Sequence, residues 1–186
     1  MERLIEDGAF KGVLDITTTE LADELVGGVL TAGPHRLEAA CRKGIPQVVC
    51  PGAIDMVNFG PMDSVPNRFQ ARTLYIHNPT VTLMRTTPEE CAEIARVTAN
   101  KLNSATGPVT VVIPLKGVSA IDKVGEPFYL PEALGAYRRV LKERLSPSVK
   151  LVELDAHIND ESFGHAASDL LLESLNSDKA GSRVPA

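Results

Sequence analysis

The chain has 186 residues, of which 44% are hydrophobic and 23% charged, so it is long enough and apolar enough to bury a core. Its net charge of −5 argues against nucleic acid as a main partner, because phosphate binding needs a cationic face. No apolar stretch approaches the roughly 20 residues of a membrane helix, and the acidic first ten residues do not resemble a signal peptide, so we expect no membrane partner.

Strand-like and helix-like segments alternate along the chain. A helix is predicted over residues 1–10, a strand over 12–16, a helix opening at 17–19, a helix over about 34–42, a strand over 45–50, short extended runs over 72–76 and 81–85, a helix from 86 to about 102, a strand over 109–114, a helix over 131–145, a strand over 149–154 and a last helix from 159 to about 175. The segment 53–61 has no strand period and is predicted to be a loop or short helix.

This alternation predicts an α/β fold: a Rossmann-like, open and mostly parallel sheet with helices on both faces, in three layers. We assign residues 1–175 to a single α/β domain. The polar segment 176–186 is predicted to be a disordered tail.

The first strand runs directly into a polar turn. Asp15, Thr17, Thr18, Thr19 and Glu20 stand where the strand feeds a helix. The threonine hydroxyls could cap free N–H groups, and Glu20 suits the positive end of a helix. Two interpretations stay open here: a well-capped helix, or the lip of a ligand crevice in an open α/β sheet.

Three further strands end in polar or Gly-Pro chemistry. Their candidate binding residues are Pro51, Gly52, Asp55 and Asn58 after one strand, Lys116, Gly117 and Ser119 after another, and Asp155, His157 and Asn159 after the last. Because the carboxyl ends of parallel strands share one edge of a sheet, we predict that these clusters meet in one crevice.

Some of these residues suggest chemistry, each beside a structural alternative. His157 is the best general-base candidate, with Asp155 as its partner, although it could equally be a turn residue facing solvent. A divalent ion held by Asp15, Asp55 and Asp155 is a second option. No phosphate-binding motif is present, and we assign no metal ligand.

The three cysteines, Cys41, Cys50 and Cys91, form no CxxC pair. An odd number without such spacing is typical of a reducing compartment, and argues against a zinc site. We therefore expect a cytoplasmic protein. Cys50 ends a strand, where a nucleophile could lie, but no activating base accompanies it, so we favour a buried structural thiol.

Several long phrases occur in a fixed order: LDITTTELADELVGGVLTAGP, GIPQVVCPGAIDMVNFGP, HNPTVTLMRTTPEE, NSATGPVTVVIPLKGVSAID and VELDAHINDESF. On these phrases, residues 1–175 resemble the family of the tomato mosaic virus resistance protein, which also occurs in bacteria and fungi and is labelled ATP-binding. The resemblance implies an α/β fold and covers only the C-terminal half of a two-lobed module. It implies that the N-terminal lobe carries most nucleotide contacts, with ATP and Mg²⁺ as candidate cofactors of the full-length protein. It supplies no reaction.

Three functions therefore remain open. The first is one wall of an inter-lobe site for an anionic small molecule: a nucleotide, or a phosphorylated or carboxylated metabolite. The second is a metal-assisted hydrolase or lyase that uses His157 and Asp155. The third is a dimerisation and protein-interaction lobe, for which we expect a homodimer. We also expect weak or absent ATP binding by this chain alone.

Overall fold

Seven strands and six α-helices make up the fold, in a computed structural model that describes residues 1–181. In chain order these elements are α1 (Glu2–Glu6), β1 (Val13–Thr17), α2 (Glu20–Val26), α3 (Glu38–Lys43), β2 (Gln47–Gly52), β3 (Met56–Phe59), β4 (Leu74–Asn78), β5 (Val81–Arg85), α4 (Pro88–Leu102), β6 (Val109–Pro114), α5 (Pro131–Arg144), β7 (Val149–Leu154) and α6 (Glu161–Gly181). Two 3-10 turns, Met62–Ser64 and Asn67–Phe69, lie between β3 and β4. Within the described part of the chain, no helix is long and apolar enough to cross a membrane.

The main sheet has the strand order β1-β2-β6-β7, and every neighbouring pair is parallel. The two central strands, β2 and β6, are buried at every position, as strands covered on both faces should be. The predicted α/β fold with a mostly parallel sheet is therefore confirmed.

Helices cover both faces of this sheet. Ile94 of α4 and Tyr137 of α5 pack in one cluster with Val111 of β6, while Phe163 of α6 packs on the other face with Val112. Right-handed crossovers between strands in sequential order place their helices on one face. The helix that follows the last strand is then the one left to cover the other face, and α6 does so.

A second, antiparallel sheet, ordered β3-β5-β4, differs from the sequence prediction. Segment 53–61 was predicted to be a loop or short helix, which is wrong, because it contains β3. Four residues are too few to show a strand period. β3 forms by antiparallel pairing with the distant strand β5, for example between Asn58 and Leu83. Segments 72–76 and 81–85 are strands, as predicted, at slightly shifted bounds for β4.

Three helix ends also differ from their predicted positions. The first helix ends at Glu6 rather than residue 10, ahead of Gly8 with a φ of 78°. The third begins at Glu38 rather than 34, because Leu37 adopts a left-handed φ of 74° that no helix continues through. Helix α6 runs to Gly181 rather than ending near residue 175. Residues 182–186 of the predicted tail lie outside the described residues.

The start of α4 follows its sequence signals closely. The Thr87 hydroxyl accepts the Glu90 N–H at 3.1 Å, and the Glu90 carboxylate accepts the Thr87 N–H at 2.8 Å. This reciprocal capping box, with Pro88 at the first helical position, satisfies donors that a helix end otherwise leaves free.

Candidate functional site

The four loops that follow the parallel strands are joined side by side by backbone hydrogen bonds. The Thr18 N–H donates to the Gly52 carbonyl at 3.0 Å, and the Ala53 N–H donates to the Val118 carbonyl at 2.9 Å. The Ile158 N–H donates to the Gly117 carbonyl at 3.1 Å. The structure therefore places the polar clusters that follow β1, β2, β6 and β7 along one edge of the main sheet.

The threonine turn after β1 is internally bonded. Thr18 is buried and its hydroxyl donates to the Cys50 carbonyl at 3.1 Å, so both its hydroxyl and its N–H have partners inside the protein. Thr19 occupies the N-cap position of the seven-residue helix α2, but its hydroxyl accepts no N–H there, so the predicted threonine caps are absent. Thr17 is exposed, and the Thr19 hydroxyl lies 3.3 Å from the amide nitrogen of Asn58.

Asp15 forms a buried ion pair with Arg36, a residue that sequence reasoning missed. The Arg36 guanidinium binds both Asp15 oxygens, with one Nη–Oδ distance of 2.7 Å, and both side chains are about 6% exposed. Glu20 and Glu2 lie 3.5 and 3.4 Å from the same guanidinium. Burial would lower the pKa of Arg36, but these carboxylates raise it above its usual value, so Arg36 stays cationic.

A cavity of about 420 Å³ opens beside this pair and is lined by Asp15, Thr17, Glu20, Glu2 and Arg36. Three carboxylates surround one cation there. This arrangement is unfavourable for an anionic ligand, because the net charge of the charged lining is negative.

Asp55 lies in a second buried polar cluster. Its Oδ2 accepts the Ser119 hydroxyl at 2.6 Å, whereas its Oδ1 has no partner among the described residues. Arg85 donates to the Asp55 carbonyl at 3.2 Å and lies 3.7 Å from Asp122. The Asp122 carboxylate in turn accepts the Val118 N–H, so the cluster anchors the loop after β6.

Burial raises the pKa of Asp55 to about 6, and the Ser119 hydrogen bond and the Arg85 charge oppose this shift only in part. One buried cation faces two buried carboxylates in the cluster. A proton on Asp55 makes the cluster neutral.

This raised pKa predicts a pH dependence of stability. The folded state holds the Asp55 proton more tightly than the unfolded chain, whose carboxyl has a pKa of 3.8. Asp55 therefore stabilises the fold at low pH, and we expect about 3 kcal/mol of that contribution to be lost as the pH rises from about 4 to above 6. Urea unfolding of the wild type and Asp55→Asn at pH 4 to 7.5 measures it. The unfolding free energy should fall relative to the variant across this range, and parallel curves would contradict the prediction.

The predicted acid–base pair of His157 and Asp155 is not assembled. The His157 Nε2 lies 2.9 Å from the Ser119 carbonyl and its Nδ1 accepts the Asn159 N–H at 3.2 Å, so both ring nitrogens are used. The Asp155 carboxylate instead binds Lys116 at 3.1 Å, at the surface. His157 thus holds the loop containing Ser119, and the Asn159 N–H bonds the other nitrogen of its ring.

Cys50 is a buried thiol, as the sequence analysis favoured, whereas a shared metal site receives no support from the geometry. Burial, followed by the charge of Asp15, raises the pKa of the Cys50 thiol to about 12, so this side chain is not a thiolate at neutral pH. Asp15, Asp55 and Asp155 have separate partners, and within residues 1–181 no three His, Cys, Asp or Glu side chains are grouped to hold a metal ion. The three aspartates therefore do not form a shared site for a divalent ion.

Lys116 and Gly117 line a cavity of about 230 Å³ after β6, which we call the cationic cavity. The first turns of α5 form its other wall, and its lining includes Lys116, Gly117, Asp122, Tyr129, Leu134 and Arg138. Asp122 lies 3.7 Å from Arg85, which also faces Asp55, so the charged lining of the cavity consists of two cations and one carboxylate. Pro131, Leu134, Gly135 and Arg138 follow the spacing of one helix face, which is the sequence signal that could have identified Arg138.

Asn58 and Ser119 line a larger cavity of about 440 Å³, whose other walls are mostly apolar. We call it the apolar groove; its apolar members are Leu30, Met56, Val81, Leu83, Ala120 and Ile121. The Asn58 amide is held by Asp23 at 2.8 Å, which fixes its orientation. Pro51 and Gly52, two further predicted binding residues, are buried within β2. Gly52 packs so closely on β1 that a Cβ there would lie 2.2 Å from the Ile16 carbonyl oxygen.

Comparison with known proteins identifies related chains. Residues 1–175 match the C-terminal domain of the uncharacterised protein family UPF0261. The chain is 56% identical to a UPF0261 protein of Clostridium tetani over 94% of its length, and 48% identical to one of Rhizobium meliloti over 90%. It is 46% identical over 93% of its length to the ToMV resistance protein Tm-1 of Solanum lycopersicum. The matched regions cover 44%, 42% and 23% of these relatives, so the chain spans less than half of their length.

Proposed function

The chain belongs to the uncharacterised protein family UPF0261 as its C-terminal domain, and on that premise we propose that it forms one wall of an inter-lobe site for an anionic small molecule. The ligand class is a phosphorylated or carboxylated metabolite, or a nucleotide whose other contacts come from the rest of the protein. We also propose a cytoplasmic location, because the three cysteines are free thiols, as is usual in a reducing compartment.

The cationic cavity is the observation that carries this proposal. It lies at the carboxyl edge of the main sheet, where open α/β folds bind ligands, and both of its basic side chains reach it from different elements. The first turn of α5 reaches the cavity through Pro131 and has no side-chain cap, so its positive end adds to the attraction for an anion, which the Glu132 carboxylate in the same turn partly offsets.

The two basic side chains of this cavity can bind an anion, because their present ion pairs are weak or incomplete. Lys116 pairs with Asp155, but the two side chains are 55% and 82% exposed, and such surface pairs contribute little. Arg138 pairs with the half-buried Glu153 at 2.9 Å through its Nε, which leaves its Nη atoms for a second partner. A bound anion can therefore replace Asp155 at Lys116 at small cost.

An enzyme based on His157 is the weaker candidate. A general base needs a free ring nitrogen, and both nitrogens of His157 are hydrogen-bonded within the loop. The geometry thus favours binding through Lys116 and Arg138 over acid–base chemistry at His157.

We expect Lys116→Ala and Arg138→Ala each to weaken binding of inorganic pyrophosphate by about tenfold, or about 1.4 kcal/mol, because each removes one cation from the cavity wall. Calorimetry on this chain at low ionic strength measures the change. Arg139→Ala is the matched control, because Arg139 is the next residue on α5, is exposed and does not line the cavity. Equal weakening in all three variants would indicate attraction to net charge alone and would overturn the proposed site.

A further inference from the structure

One face of the small antiparallel sheet packs in the core, and the apolar groove separates part of the other face from the loop after β6. Val57, Met84 and Leu74 pair across the three strands and pack in the main core cluster. Successive side chains of a strand point to opposite faces, so the neighbouring Met56 and Leu83 lie on the outer face. Both line the groove.

This outer face is only partly solvated. Leu83, Asn58 and Arg85 on it are buried, whereas Met56 and Val81 are half-buried, apolar and line the groove. Antiparallel sheets with one solvated face normally carry polar residues at such positions. Ala120 and Ile121 from the loop after β6 add to the groove from the opposite side. The groove is therefore apolar on two walls contributed by separate parts of the chain.

Exposed apolar side chains continue the groove at its rim. Leu30 lines the groove and is 52% exposed, and the adjacent Val29 is 62% exposed. The Val29 N–H donates to the Asn58 carbonyl at 2.8 Å, so this rim is attached to β3. A contiguous apolar patch with a polar border is the usual form of a surface that another protein segment covers.

We propose that the apolar groove is the docking surface for the remainder of the family polypeptide, which would insert apolar side chains between Leu30 and Ile121. The family membership supports this choice of occupant. The region shared with this chain is 44% of the Clostridium tetani protein, so more than half of that polypeptide lies outside the domain. Two domains of one polypeptide are held in a fixed arrangement when they share a large apolar interface, and the apolar groove would supply one side of it.

This inference does not depend on anion binding. The groove residues Leu30, Met56 and Ile121 are absent from the cationic cavity, and Lys116 and Arg138 are absent from the groove. The two surfaces lie on either side of the loop 117–122. Loss of anion binding in the Lys116 variant would therefore leave the docking proposal unchanged, and the reverse also holds.

Thiol labelling tests the proposal. Leu30→Cys is introduced into this chain alone and into a full-length protein in which this chain replaces the matched region of the Clostridium tetani relative. Leu172→Cys is the matched control, because Leu172 is a leucine of similar exposure, 56%, on α6. The three native cysteines are buried and should react slowly.

We expect the Leu30→Cys thiol to react with a maleimide at least about tenfold more slowly in the full-length protein than in this chain, while the rate of Leu172→Cys is unchanged. Equal rates for Leu30→Cys in both proteins would overturn the proposal. If the hybrid protein fails to fold, the same comparison is made in the intact Clostridium tetani protein, with cysteines at the positions aligned with Leu30 and Leu172. Fast labelling at the Leu30 position there overturns the proposal as well.

A second copy of this chain is the competing occupant. Analytical ultracentrifugation of this chain, with Leu30→Glu and Leu172→Glu variants, distinguishes it. A monomer in all three proteins supports docking of the rest of the polypeptide. A dimer that Leu30→Glu dissociates and Leu172→Glu preserves would assign the groove to a homodimer and overturn the proposal.

Discussion

Asp15→Ala is expected to destabilise the fold by about 3–5 kcal/mol, because it leaves the buried Arg36 guanidinium without its bidentate partner. Arg36 is only 5% exposed, so little of its lost hydrogen bonding is available from bulk water. Urea unfolding at pH 7 measures the change. Asp155→Ala is the control, since that carboxylate is at the surface, and its effect should stay within about 0.5 kcal/mol.

A second variant separates the charge effect from the packing effect. Asp15→Leu combined with Arg36→Met removes both charges from the same volume, and we expect it to recover most of the stability lost in Asp15→Ala. A loss below about 1 kcal/mol for Asp15→Ala would show that Glu2 and Glu20 alone keep Arg36 satisfied, and would contradict the account.

Gly117→Ala is expected to cost about 2–4 kcal/mol and to disrupt the cationic cavity. Gly117 has a φ of 126°, and a Cβ there would lie 1.8 Å from the Asp122 carbonyl oxygen and 2.9 Å from the His157 ring. The chain must therefore move at the point where the loop binds Asp122 and His157. Thermal unfolding and pyrophosphate calorimetry on the same sample measure both consequences.

Gly125→Ala is the matched control for this change. Gly125 also has a positive φ, of 87°, but a Cβ there would meet nothing within 4 Å. The control variant therefore has the backbone strain of a positive φ but no steric clash, and we expect it to lower the free energy of unfolding by only about 1 kcal/mol. Equal losses in the two variants would show that close approach to Asp122 contributes nothing.

The elements predicted correctly have local causes. β6 and β7 begin and end at their predicted residues, because each is a run of apolar and β-branched residues between turns. The start of α4 was predicted because its capping signals lie within four residues. β3 was missed because it depends on pairing with β5, which no local pattern of four residues reveals.

For the candidate site, the position of the loops was predictable from the sequence, but the hydrogen-bond partners of their side chains were not. Convergence of the strand-end loops follows from parallel topology, so alternating strands and helices were enough to predict it. The partner of each polar group was beyond sequence reasoning. Asp15 pairs with Arg36 and Asp55 with Ser119, 21 and 64 residues away, and no spacing rule relates them.

The central claim is that an anion binds at the loop after β6 and not at the threonine turn after β1. Pyrophosphate titration of this chain, followed by backbone amide shifts in two-dimensional NMR, tests it most directly. We expect saturable shifts at Lys116, Gly117 and the first turn of α5, with Thr17–Glu20 unaffected, because the Thr18 N–H already donates to Gly52. Saturable shifts confined to residues 17–20, with Gly117 unchanged, would contradict the account.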